Sequence, residues 1–469
     1  MDQILTTEFI WAVMLVGGVA GVLVLAKAPE LLVAVLLVGP SYVQAVLWIV
    51  GYPVTRQQFA AAGGVIFIPL VLLFLVARMV QAGEREPIIG RPNLPFISVA
   101  IILGIWLLVG LAYSDSNFYG PRKTAEYFMF GLAPMFLGFV FLRDRVAVRR
   151  FLIWVVVVTA GSVLLTSAYT FVTQGTIFAQ LTGWEPVGGA RGIEIPGHLQ
   201  LSSALVMSMA GLLALSSGRR SVRWKAVPVL VLPVVALYVM LAGTRSNLVS
   251  FLFVISVGFF FAYKGHRKPF VVALLVLAVT GALLVTYAPQ EVRDRFFSSW
   301  VEEETQAGYG GYVRLQYLLH APAHFVTAPI IGHGTGGWPL LERGLDVYIF
   351  PHNMFVEAAV ENGLVGLGLV LALWALVIRR VWRILRTGEP GTGLYGIAVF
   401  GACLLAIESA NALAHFGIAH GSCTLLLTSA ITLRATFLEE ETETLPEEEV
   451  GPDEATSLVR PVLKAGPLA

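Results

Sequence analysis

The sequence predicts an all-α protein that crosses a membrane many times, and three observations carry that expectation. Of the 469 residues 57% are hydrophobic and only 13% charged, and the mean hydropathy of +0.78 lies beyond what a water-soluble domain of this size shows. Apolar runs near the ~20 residues that span a bilayer recur along the chain. The basic residues gather in short loops between alternate runs, the charge pattern of a multi-pass protein. The formal net charge of +1 carries no sign of a nucleic-acid partner.

The early runs cover about Glu8–Ala26, Leu31–Val50, Phe59–Val80, Pro95–Tyr113 and Glu126–Leu142. Further runs cover about Phe151–Val172, Leu199–Leu215, Val227–Leu241, Asn247–Tyr263 and Phe270–Tyr287. The last three are Met354–Ile378, Tyr395–Leu413 and Phe416–Leu433. Together they give roughly twelve or thirteen spans, one of the first three being open to a re-entrant or interfacial reading. Met1–Thr7 carries Asp2 and no basic stretch, so a cleaved signal peptide is not expected. Cys403 and Cys423 both sit in apolar segments and read as small buried hydrophobes, not as a disulfide or a metal site. The expected organisation is a membrane domain over residues 1–437, with an extracytoplasmic loop at 288–352, and an acidic, disordered cytoplasmic tail over 438–469.

Four basic clusters set the orientation. They are Arg143, Arg145, Arg149 and Arg150; Arg219, Arg220, Arg223 and Lys225; Lys264, Arg267 and Lys268; and Arg379, Arg380, Arg383 and Arg386. All fall on one side if the spans alternate, and that side is the cytoplasm. The opposite face receives Ser114–Lys123, Thr173–His198, the Gly243–Ser246 turn and Ala288–Pro351, and with them Arg191, Arg245, Arg314 and His352.

Those four residues are the candidates for chemistry. An arginine keeps its proton and offers a planar fork that grips phosphate oxygens in pairs. Arg245 stands in LAGTRSNLV between two apolar runs, where a charge is functional by default, though an arginine snorkelling to lipid headgroups is the plainer alternative. Arg314 follows the Gly308–Gly311 run and opens an amphipathic stretch with Leu315, Leu318 and Leu319 on one side, the pattern of a helix lying on a membrane surface. Arg191 occupies the glycine-rich GGARGIEIPGH, which has the freedom to fold over a ligand. Pro351-His352-Asn353 reads as a helix start, with Pro in the first turn and Asn as cap. The positive end of that helix beside three arginines would seat a diphosphate, and the same charges would keep the His352 imidazole neutral and able to take a proton. Glu357 and Glu361, four apart on the same helix, share a stripe that faces the bundle interior or a neighbouring helix, and they act in support together with Asn353. Gly363, Gly366 and Gly368 read as positions of close helix contact. His198, His320, His324 and His333 read as structural. No D-x-D occurs, so the expected site is free of metal and of any other cofactor, with guanidinium groups standing where Mg²⁺ would balance a leaving diphosphate.

His352-Asn353 followed by Gly363 and Gly366, the small-residue turn Gly243-Thr244-Arg245-Ser246, Arg314-Leu315 and the Pro329–Gly336 turn together resemble the O-antigen ligase and O-antigen polymerase superfamily of bacterial envelope glycosyltransferases. The likeness covers roughly the last two-fifths of the chain, and Pro196-Gly197-His198 departs from the family's Gly-Asn-rich run after Arg191. The resemblance implies a GT-C-like helical fold, a multi-pass protein of the bacterial inner membrane and an undecaprenyl-diphosphate-linked glycan as donor. Transfer would take place on the periplasmic face. Arg245, Arg314 and Arg191 would bind the diphosphate, and His352 would deprotonate an acceptor sugar hydroxyl with inversion at the anomeric carbon. The acceptor is lipid A-core for a ligase and a lipid-linked glycan for a polymerase; the glycine spacing leans to the ligase. A peptidoglycan polymerase, a protein O-glycosyltransferase and a lipid-linked glycan transporter or flippase stay open, the last because of the intramembrane Glu408.

Overall fold

A computed structural model describes residues 28–38, 93–142, 145–174, 198–218, 222–241, 245–264, 267–287, 306–414 and 417–443. Among these residues every regular element is helical, and five helices are long and apolar enough to cross a membrane. The chain is an all-α polytopic membrane protein. Each run from Pro95 onward coincides with a helix, and the runs at Glu8–Ala26 and Phe59–Val80, with Arg191 and the acidic tail beyond Glu443, lie outside the described residues.

Helix α1 (Pro29–Val38) is followed in the described chain by α2 (Leu94–Leu111), whose Pro95 opens its first turn. Helix α3 (Tyr119–Glu126) runs through one wide π turn (Tyr127–Leu132) into α4 (Ala133–Phe141). Pro134 has no N–H to give to the preceding turn and its ring crowds the carbonyl there, so the backbone widens just upstream. The span therefore begins at Tyr119, several residues before the apolar run that announces it, and Gly120–Lys123 belongs to a helix where the sequence suggests a loop. Helices α5 (Arg145–Gln174), α6 (His198–Ser217), α7 (Val222–Leu241), α8 (Arg245–Ala262) and α9 (Arg267–Tyr287) follow. Helix α10 (Gln306–Thr327) and the short α11 (Trp338–Arg343) form the large loop before α12 (Met354–Thr387), α13 (Gly393–Ala414) and α14 (Ile418–Glu443).

Helix α13 is the axis of the bundle. It packs against α6, α8, α12 and α14, and 78% of its membrane-crossing window is buried, against 33–50% for the other long spans. Cys403 on α13 is fully buried against Gly258 of α8, where a Cβ on the glycine would stand 2.8 Å from the sulfur, so this cysteine fills space as a small apolar residue. The outer faces of the spans leave Ile102, Ile105, Leu230, Phe260, Leu275 and Leu371 exposed, the composition a lipid-facing surface requires.

Helix α10 divides its faces as an amphipathic surface helix does. Tyr317 and Ala321 pack with Trp338 and Val360 in a small core, while Leu315, Leu318 and Leu319 stay exposed.

Candidate functional site

The site forms where α12 begins. The Asn353 side-chain oxygen accepts from the N–H groups of Phe355 at 3.1 Å and Val356 at 3.0 Å, satisfying two of the amides that a helix start leaves free. Its Nδ2 donates to the Leu413 carbonyl at 3.1 Å and so ties this end of α12 to the end of α13. The helix starts at Met354, so Pro351 precedes the cap and does not occupy the first turn that the sequence suggests. His352 lies outside the helix with φ 56°, the one non-glycine residue in the left-handed region among the described residues. That conformation costs about 1–2 kcal/mol and is held by its surroundings. The half-buried imidazole lies 4.4 Å, centre to centre, from the Phe350 ring.

One turn into α12, Glu357 and Glu361 turn inward together and meet Lys123 of α3. The Lys123 ammonium donates to Glu357 Oε1 and, at 2.6 Å, to Glu361 Oε2, and it stands 4.5 Å from the centre of the Tyr119 ring. All three side chains are fully buried. Two ionised carboxylates around one ammonium would leave a net negative charge, which a low-dielectric interior tolerates only when further donors serve the oxygens. The backbone supplies them: Gly336 N–H at 2.9 Å and Trp338 N–H at 3.2 Å to Glu361, and Ile418 N–H to Glu357. The cluster clasps α3, the 334–338 turn, α12 and the start of α14 to one another.

Two residues further, α12 breaks. Gly363 has φ 64° and ψ −164°, a backbone state open only to glycine, and a Cβ there would fall 2.2 Å from the Ile330 carbonyl oxygen. The polar groups released by the break are stitched to the 329–334 segment: Leu364 N–H to Pro329 O at 2.8 Å, Gly334 N–H to Glu361 O at 2.8 Å, and His333 N–H to Val360 O at 3.1 Å. The Trp106 indole N–H closes on the Asn362 carbonyl at 3.2 Å. Gly336, with φ 82°, lets the turn press onto α3, where a Cβ would sit 2.4 Å from Gly120 Cα, and the wholly buried Thr335 donates from its hydroxyl to Leu107 O at 2.8 Å. Gly363 is thus a helix break and not a packing position. Gly366 accommodates the Asn362 side chain of its own helix, and Gly368 has open space around it, so the expectation of helix contact at these glycines is corrected.

A second strand of contacts reaches His352 from outside. Asp346 accepts from Phe118 N–H at 2.6 Å, Tyr119 N–H at 3.0 Å and the Ser116 hydroxyl at 2.8 Å, and so caps the start of α3 from across the chain. Burial pushes this carboxyl up, but the Phe118, Ser116, Tyr119 and Asn117 hydrogen bonds outweigh it and hold Asp346 below the ordinary carboxylate range. Tyr348 follows, with the Arg122 guanidinium 4.4 Å above its ring and Phe350 edge-on at 6.0 Å, which leads on to His352.

Of the arginines expected in the site, Arg314 is half-buried on α10, the helix that meets α12 through Trp338. Arg245 opens α8 with only its backbone described, and Arg191 lies outside the described residues. His320 and His324 engage Glu342 at 3.1 and 3.4 Å, and His333 bonds Thr327 and the His324 carbonyl, each at 2.9 Å. Among the described residues no three His, Cys, Asp or Glu side chains are grouped so as to hold a metal ion.

Residues 228–371 match the family model described as O-antigen ligase. That match supports, for this segment of the chain, the resemblance to the O-antigen ligase and polymerase superfamily. It runs from within α7 to the middle of α12 and contains Arg245, Arg314, His352, Asn353, Glu357, Glu361, Gly363 and Gly366. No curated protein matches the chain.

Lys123 is the residue that sequence reasoning missed, and it lies outside the O-antigen ligase segment although both its carboxylates lie inside. The available signal is the pair Arg122-Lys123 on the face opposite to the basic clusters, where an excess of positive charge is not expected. Asp346 and Arg122 carried no motif.

Proposed function

We propose that this membrane protein transfers a glycan from undecaprenyl diphosphate to a sugar hydroxyl at the periplasmic face of the bacterial inner membrane, as an O-antigen ligase acting on lipid A-core. The observation that carries the reading is the imidazole of His352, fixed in a left-handed turn beside the Asn353-capped start of α12 inside the O-antigen ligase segment. In this reading the arginines Arg245, Arg314 and Arg191 grip the diphosphate, and the positive end of α12 adds to their field. The bond from the anomeric carbon to the phosphate oxygen breaks, and its electron pair leaves on the diphosphate. A new bond forms from the acceptor hydroxyl oxygen to the same carbon on the opposite face, with inversion, and the hydroxyl proton passes to His352. The diphosphate leaving group supplies the driving force, and the chemistry calls for no metal. The buried Lys123–Glu357–Glu361 clasp touches none of the reacting atoms; it fixes the start of α12 and thereby His352.

The experiment supplies the purified protein in lipid nanodiscs with an undecaprenyl-diphosphate glycan and either lipid A-core or a second lipid-linked glycan. Mass spectrometry should find the glycan on lipid A-core. Ladders confined to the polyprenyl carrier would assign the protein as an O-antigen polymerase, and no transfer to either acceptor would remove the reading.

A further inference from the structure

The end of α12 remote from His352 carries Arg379, Arg383 and Arg386, spaced four and three residues apart, so at ~100° per residue they share one face of the helix with Trp382 among them. All three arginines are exposed, and with Trp382 and Thr387 they line a groove of about 450 Å³. Among the described residues no carboxylate pairs with any of the three. Arg380, on the other side of the helix, is by contrast engaged by the Thr436 hydroxyl at 3.3 Å. The floor of the groove is aromatic: Trp382 is 51% exposed, meets Phe261 of α8 edge-on at 6.3 Å, and has the Arg386 guanidinium 6.0 Å above its ring. Towards the middle of the span α12 exposes the apolar Leu371 and Ile378, and Phe260 is exposed beside Phe261 at the level of Trp382.

Position decides what such a groove meets. Beyond the break at Gly363, α12 runs on from Leu364 to Thr387, about 36 Å at ~1.5 Å per residue, against about 30 Å for the hydrocarbon core of a bilayer. The guanidinium groups therefore emerge at the headgroup level of the leaflet opposite the His352 end, with Trp382 at the depth where tryptophans anchor. We propose that this groove is a binding site for an anionic phospholipid of that leaflet, its phosphate held by the forks of Arg379, Arg383 and Arg386 and its acyl chains laid along Ile378, Leu371 and Phe260. A zwitterionic lipid fits less well, because the groove offers no carboxylate to its ammonium. An acidic peptide would use the arginines but leave the apolar track beneath them empty.

The test is native mass spectrometry of the full-length protein, delipidated and supplied with equal amounts of phosphatidylglycerol and phosphatidylethanolamine. The wild type should retain phosphatidylglycerol preferentially, and Arg379→Gln/Arg383→Gln/Arg386→Gln should lower that retention on the order of 100-fold, from about one fivefold step per cation. The three side chains are exposed, so the substitutions leave the packing of the bundle alone, and Arg380→Gln serves as the neighbouring control that leaves retention unchanged. Equal retention of the two lipids, survival of selectivity in the triple variant, or an equal loss in Arg380→Gln would overturn the proposal. So would retention that appears only when the chain is cut after Glu443, which would make the acidic segment around Glu447–Glu449 the occupant.

Discussion

Lys123→Met removes the one cation in a fully buried cluster and leaves Glu357 and Glu361 facing each other. Methionine keeps most of the volume, so the change is chiefly electrostatic. Two charge-assisted hydrogen bonds are lost, while the backbone donors from Gly336, Trp338 and Ile418 remain. Breaking a buried ion pair from one side costs about 3–5 kcal/mol. At 1.4 kcal/mol per factor of ten, that lowers the folding equilibrium by roughly 150-fold to several thousand-fold. The assay is equilibrium unfolding of the purified protein in mild detergent, followed by tryptophan fluorescence. Adding Glu357→Gln and Glu361→Gln to Lys123→Met removes the orphaned charges, and the triple variant should recover more than half of the loss. A Lys123→Met protein within ~0.5 kcal/mol of wild type, or a triple variant less stable than the single one, would show that charge compensation does not hold the clasp together.

Other outcomes follow from the same geometry. Gly363→Ala places a Cβ 2.2 Å from the Ile330 carbonyl in a backbone state closed to alanine, so a loss above ~3 kcal/mol is expected, and size-exclusion chromatography should find little monodisperse protein. Asn353→Ala removes the acceptor for two amides and should cost about 1 kcal/mol of stability by thermal unfolding. His352→Gly relieves the left-handed strain and should unfold no earlier than the wild type on a thermal ramp, yet be as inactive as His352→Ala; an active glycine variant would refute a chemical role for the imidazole. Asp346 has a folded pKa below its ordinary value of 3.8, so its contribution is complete above that pH and fades as pH falls through the depressed value. The stability difference between wild type and Asp346→Asn should therefore stay constant near neutral pH and close only in strong acid; a gap that closes on raising the pH would contradict this assignment.

The spans were legible because an apolar stretch of bilayer length has few other uses, and the start of α12 was legible because Pro351-His352-Asn353 carries its own cap. The common inward face of Glu357 and Glu361 followed from their spacing alone. Their partner did not: Lys123 stands 234 residues before Glu357, and a lysine at the edge of an apolar run resembles a loop residue until two carboxylates are found to compensate it. For the same reason the span at Tyr119 begins earlier than hydropathy suggests. Gly363 shows a different limit. Spaced glycines in a span usually mark helix contact, and only the 329–334 segment, by supplying partners for the freed amides and carbonyls, makes a helix break possible at that position.

The central claim is that His352 takes the acceptor proton during glycan transfer. The initial rate of transfer by His352→Ala, with purified protein, lipid-diphosphate glycan and acceptor at saturating concentrations, tests it most directly. The account predicts a fall of about 10²–10⁴-fold with the fold intact; a rate within tenfold of the wild type would contradict it.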